Sequence, residues 1–247
     1  MPRKGERRKL GVFLGVYTPT VLTILGVILY LRLGWLVGHL GLLQTLLVVA
    51  LAEAVTLVTA LSFSAIASNI HVGPGGAYYI TSRSLGPEVG GAVGVPLFLS
   101  QAFSVTLYSY GLAESLRIIW PNAPLVPLAA AIVVLVAFLA MLGAERALKS
   151  QIPIMVMIGI SLLGLLVGSL ARFFQRGLPI YGPSGEVSFW EGFAVFFPAV
   201  TGVMAGLGLS GDLHKPQKAI PLGSLLAVGT GFLVYICLLY TSPSPRD

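Results

Sequence analysis

Two stretches of this sequence place proline, glycine and threonine where a backbone should be seamless. They are Pro19-Thr20-Val21-Leu22-Thr23-Ile24-Leu25-Gly26-Val27-Ile28 and Pro198-Ala199-Val200-Thr201-Gly202-Val203-Met204-Ala205-Gly206, each inside a long apolar run. In hydrocarbon a helix must satisfy its own peptide groups, because lipid offers no partners. Proline withholds a donor and glycine weakens the coil, so both helices are expected to break at mid-membrane depth. Such breaks are tolerated only where protein buries them or where they line a wet cavity. The freed N–H groups can then face an anion and the freed carbonyls a cation. Two interrupted helices in corresponding places point to a transporter built from repeats, with its site near the midplane.

Ionisable residues inside apolar spans are functional candidates by default, and Arg32, Glu53 and Glu114 are of this kind. Arg32 and Glu114 have opposite signs and similar expected depth, so a cross-helix pair closing the outer mouth of a pathway is one reading. Arg117, three residues beyond Glu114 on the same helix, offers a local alternative. Glu53 has no nameable partner and reads as helix–helix glue. Tyr108 falls mid-span beside Thr106 and Ser109. Its hydroxyl either bonds neighbouring backbone or joins carbonyls of the broken helices as a cation ligand, as hard alkali cations favour. His39, His71 and His214 are scattered, and no zinc-protease, dithiol or nucleophile-elbow motif occurs. Gly73–Gly76 lacks the ending of a nucleotide loop and reads as a sharp re-entry. Neither an enzyme nor a cofactor is expected, and no metal beyond a transported alkali cation.

These groups sit in a chain of 247 residues, 56% hydrophobic and 10% charged, with a mean hydropathy of +0.91. Soluble domains carry about 25% charged residues, so this is an all-α polytopic membrane protein. The net charge of +6 does not indicate nucleic acid binding, because five of the 15 Lys and Arg (Arg3, Lys4, Arg7, Arg8, Lys9) precede the first apolar run. About 20 apolar residues are needed to cross the hydrocarbon. That rule predicts about seven spans, over Leu10–Val37, Leu42–Ala67, Val89–Ile119, Leu125–Leu142, Ile152–Phe174, Phe189–Leu209 and Ile220–Tyr240. Gly86, Gly90 and Gly94, spaced by four, should admit a neighbouring helix closely. The basic residues of the tail, Arg83, Arg146, Lys149, Lys215 and Lys218 fall on one side, against Arg172 and Arg176 on the other, which predicts a cytoplasmic N-terminus. Trp35, Trp120 and Trp190 then form an outer aromatic belt. Cys237, the one cysteine, reads as a small core residue. Residues 1–9 are read as a basic tail, 10–240 as an incomplete transporter domain and 241–247 as a non-native tail, so the chain is expected to be the front part of a longer protein.

Several stretches resemble the cation–chloride cotransporters of the amino acid–polyamine–organocation superfamily. They are Lys9-Leu10-Gly11-Val12-Phe13-Leu14-Gly15-Val16, Gly26-Val27-Ile28-Leu29-Tyr30-Leu31-Arg32-Leu33-Gly34-Trp35, residues 75–88, residues 196–206, and Ser210-Gly211-Asp212-Leu213. The resemblance implies a LeuT-like inverted-repeat transporter fold, here the first repeat plus the start of the second, with spans one and six discontinuous. It implies a potassium site at Thr23, Ile24, Tyr108, Pro198 and Thr201. It implies one chloride at the amides of Gly26, Val27 and Ile28, and another at those of Gly202, Val203 and Met204. It also implies an outer gate of Arg32 and Glu114. The family usually has asparagine where this chain has Thr23. The implied activity is electrically balanced symport of chloride with potassium, sodium or both across the plasma membrane, and a homodimer stays open. An amino acid permease of the same superfamily is the alternative, although Thr23, Ile24 and Leu25 crowd the first break. A non-transporting membrane scaffold or regulatory subunit is the alternative from another class.

Overall fold

The computed structural model describes residues 9–70, 72–141, 143–176 and 187–241. The basic tail, His71, the polar loop before span six and the tail after Thr241 lie outside the described residues. So do the side chains of Arg146, Arg172 and Arg176. A π-turn, Phe13–Tyr17, leads into α1, Thr18–Ile24. The π-turn is where the ladder slips register just ahead of Pro19, which has no N–H to give. Pro19 itself sits in the first turn of α1, where a missing donor costs nothing. The interruption comes later, at Leu25 and Gly26, before α2, Val27–Asn69.

Phe13–Asn69 is a largely apolar run of 57 residues, about 85 Å if straight, nearly three times the hydrocarbon thickness. It bends at Gly41, whose φ of 74° suits glycine alone. The Thr45 hydroxyl fastens this turn by donating to the carbonyls of Gly41 (2.7 Å) and Leu36 (3.3 Å). Glu53 and Ile24 both neighbour Gly231. The chain therefore leaves Ile24, turns at Gly41 and is back at the same level by Glu53, which makes 27–40 and 42–69 separate crossings.

The chain then runs through α3, Ala77–Leu85, α4, Pro87–Ile119, α5, Leu125–Met141, and α6, Ala144–Arg176. Gly75 and Gly76, both with positive φ, turn the chain into α3, a short helix not foreseen from the sequence. The glycine ridge does admit a neighbour, and that neighbour is α3: Gly90 lies against Ser82 and Gly94 against Tyr78. Next come α7, Phe189–Phe196, 3₁₀ turns at Phe197–Ala199 and Thr201–Met204, α8, Ala205–Gly208, a 3₁₀ turn at Ser210–Asp212, and α9, Pro216–Thr241. Among the described residues five stretches are long and apolar enough to span a membrane, and α5 adds a shorter one of 17 residues. At about 25 Å, α5 is at the short end of the spanning range. With the Gly41 bend this gives the seven expected crossings.

Contacts give the spans their directions. Along the first span, residues 10, 16, 23 and 40 meet 213, 206, 202 and 192, so spans one and six run antiparallel. Val27 meets Gly111 and Arg32 meets Glu114, so span three runs with span one. Val16 meets Gly223 and Ile24 meets Gly231, so span seven does too. The core lies among α1, α2 and α7–α9. Trp35, Trp120 and Trp190 lie towards one end of the bundle, as a belt requires, and Lys9 and Lys215 at the other. Cys237 is exposed between α6 and α9, not buried in the core.

Candidate ion site between the interrupted helices

The first interruption leaves peptide groups bare on both sides. Leu25 has φ −89°, ψ 32° and Gly26 is extended, with φ −81°, ψ −162°. No side chain caps the start of α2. The amides of Val27 and Ile28 therefore open a helix with no partner inside it, and the Leu29 amide folds back to Gly26 O at 3.2 Å. This end carries the positive pole of the helix dipole, the place for an anion. On the other side α1 ends in carbonyls that have no amide partner within the helix. Gly26 lies so near that a Cβ there would be 3.0 Å from Thr23 O. Ile24 O is already engaged: the Tyr235 hydroxyl donates to it at 2.7 Å in a fully buried setting.

Span six is interrupted differently. Its α-ladder stops after Phe196, but the backbone stays helical and tightens to 3₁₀ turns, with Val200 at φ −100°, ψ −3° between them. In the turn Thr201–Met204 the i→i+3 bonds occupy the amides of Val203 and Met204. Of the three amides expected to be bare, that of Gly202 stands at the open edge. Glycine and proline here produce overwinding instead of an extended gap.

The two interruptions meet. Gly202 packs directly on the Thr23 side chain, and the Gly206 amide donates to Thr20 Oγ at 3.3 Å. Thr56 of α2 donates to Val200 O at 3.4 Å. The Thr23 hydroxyl donates to Pro19 O at 2.7 Å and the Thr201 hydroxyl to Pro198 O at 2.9 Å. Each threonine thus commits its proton to the backbone and keeps lone pairs for a cation. Pro198 O is the same carbonyl that Thr201 holds. Tyr108 is half-buried on α4, one turn before Gly111, which packs on Val27. Among the described residues its hydroxyl has no hydrogen-bonding partner.

Arg32 and Glu114 pair at 3.3 Å across spans one and three, with about half of each side chain exposed. The pair across helices prevails over the local one with Arg117. A cavity of about 370 Å³ opens beside Met204 and Leu207, lined also by Thr59, Ser62, Phe63 and Thr81. Sequence reasoning missed Tyr235, whose signal was only a mid-span tyrosine in an apolar run, and Thr20 and Thr56, which join the spans around the break.

Comparison with known proteins defines the class. The amino acid permease family model matches residues 15–244, and the chain belongs to that family, one of transporters and not of enzymes. Within it the chain is similar to solute carrier family 12 members. It is 38% identical to member 2 of Squalus acanthias over 253 residues and to member 2 of Homo sapiens over 251, covering 92% of this chain and 21% of each relative. It is 35% identical to member 1 of Mus musculus over 252 residues, covering 92% of this chain and 23% of the relative. The resemblance to the cation–chloride cotransporters is thereby borne out. The chain spans about a fifth of the length of the curated relatives it matches.

Proposed function

We propose that the chain is part of a secondary active symporter that couples chloride to potassium, sodium or both by alternating access. The observation that carries this reading is the meeting of two interrupted helices, Gly202 against Thr23, at one depth of the bundle. Chloride binds at the amides of Gly26, Val27 and Ile28, where a helix starts uncapped. A second chloride faces the Gly202 edge of Gly202, Val203 and Met204. The cation takes oxygens from Thr23, Thr201, Tyr108 and the Pro198 carbonyl. It reaches Ile24 O only as Tyr235 yields it. Arg32 and Glu114 close the outer mouth, and the cavity beside Met204 opens towards the basic, cytoplasmic end. No covalent step is involved.

The description of the matching family favours a second reading, transport of an amino acid. An α-carboxylate and α-amine need room at the first break, where buried Ile24 and Leu25 and half-buried Thr23 stand. The full-length protein in vesicles decides between them. Uptake of labelled chloride and rubidium, each dependent on the other, is expected, and uptake of labelled amino acids without chloride would overturn the reading. Tyr108→Phe and Thr201→Ala should each lower rubidium uptake. If both leave it intact, the cation site is misplaced even where chloride transport holds.

A further inference from the structure

Glu53 is 4% exposed, and neither carboxyl oxygen has a hydrogen-bonding partner. It is enclosed by the chain's own helices at the level of the first interruption. A Cβ built on Gly231 of α9 would lie 2.6 Å from Ile24 and 3.6 Å from Glu53 Oε1. The carboxyl and the last residue of α1 thus share one glycine as a neighbour. Four residues on, Tyr235 caps Ile24 O. The titratable group facing this place is Tyr235 from α9, and Tyr108 of α4 lies in Tyr235's own neighbourhood. Among the described residues no arginine, lysine or histidine pairs with Glu53.

A carboxylate left bare in such a setting is untenable, because an unpaired buried charge costs far more than a neutral polar group. Something must neutralise it. A bound metal cation would need several converging oxygens, and the Ile24 carbonyl is taken by Tyr235. A proton needs none. Nor is the carboxyl required as glue, since it bonds to no neighbour.

We propose that Glu53 is a proton-binding site behind the first interruption, loaded in the conformation seen here and unloaded when spans one and seven separate around Gly231. The proton leaves the carboxyl oxygen for water that enters at that moment. The carboxylate left behind places a negative charge next to the α1 carbonyls. External pH then becomes an input to cation binding: affinity rises as the proton is lost. A unit charge acting through a protein medium on a neighbouring cation changes its affinity by about tenfold. This inference concerns the carboxyl and stands whichever solute the protein carries.

The test uses the full-length protein in lipid nanodiscs and in vesicles. Infrared spectroscopy at neutral pH should show a protonated-carboxyl band that disappears in Glu53→Gln and shifts in Glu53→Asp. In vesicles, the apparent rubidium affinity of the unmodified protein should rise about tenfold from acid to alkaline pH, and in Glu53→Gln it should be flat. A band unchanged in both variants overturns the proposal, and so does an equal pH response in the unmodified protein and Glu53→Gln. Should Glu53→Gln fail to fold, Glu53→Asp decides, since a band and pH profile identical to those of the unmodified protein would refute it. The infrared result does not depend on transport, so a protein that binds no rubidium would refute the symport reading and leave the proton site intact.

Discussion

Replacing Tyr235 with phenylalanine isolates one hydroxyl at the first interruption. Tyr235 is fully buried, its ring packs edge-on against Phe196 at 5.1 Å, and its hydroxyl donates to Ile24 O at 2.7 Å. Tyr235→Phe keeps the ring and its packing. What it removes is the side-chain cap on a carbonyl that α1 cannot satisfy. A buried acceptor left alone costs about 1–3 kcal/mol. With no cavity created, the expected loss of stability stays in that range, about 5- to 150-fold in the folding equilibrium. The measurement is thermal or denaturant unfolding of the full-length protein in one fixed detergent, against Leu233→Ala, an exposed site on the same helix, as a control. A second measurement sharpens it. If Ile24 O serves the cation once Tyr235 releases it, potassium should recover more stability in Tyr235→Phe than in the unmodified protein. A melting point identical to that of the unmodified protein would refute the capping role. Equal stabilisation by potassium in both would remove Ile24 O from the cation site.

Gly202→Ala puts a methyl group into the Thr23 side chain, so it should prise the two interruptions apart and cut chloride and rubidium uptake by at least about tenfold, the cost of a misplaced site. Removing either partner of the half-exposed Arg32–Glu114 pair should change stability by less than about 1 kcal/mol yet alter uptake kinetics, and the swap Arg32→Glu with Glu114→Arg should restore them. Gly76→Ala combines a φ of 54° with a Cβ that would sit 2.8 Å from Leu207 O. It should lose about 1 kcal/mol or more, seen as a lower melting point, whereas Gly91→Ala, which meets nothing within 4 Å, should not.

The sequence made the two interruptions legible because single residues carry strong local rules. Gly26 and Gly202 marked the interruptions, whereas for Glu114 charge alone left Arg32 and Arg117 as equal partners and only the family resemblance favoured Arg32. The form of each interruption was less legible. Gly26 lets the chain go extended, while much the same composition around Gly202 tightens a helix, and the choice depends on Thr23 and Thr56 pressing from other spans. The side facing protein was hidden as well. Lipid and a protein core are equally apolar, so α9 shows no polar face to tell exposed Cys237 from buried Tyr235. The short α3 escaped notice because nine residues next to a glycine run give too little pattern to separate a helix from a loop.

The chain ahead of the first span and the chain beyond the sixth are stitched edge to edge. The Leu10 amide donates to Asp212 O at 2.8 Å, and the His214 amide returns to Leu10 O at 3.0 Å. Beside them the Ser210 hydroxyl donates to Gly73 O at 2.7 Å. Two rods clamped at one tip and touching at their middles can only swing together, as the legs of a single lever. In the transport cycle proposed above, opening at this end would begin either with the other helices retreating from this lever or with the parting of those two hydrogen bonds, and the second route would make Leu10, Asp212 and His214 the catch of the door.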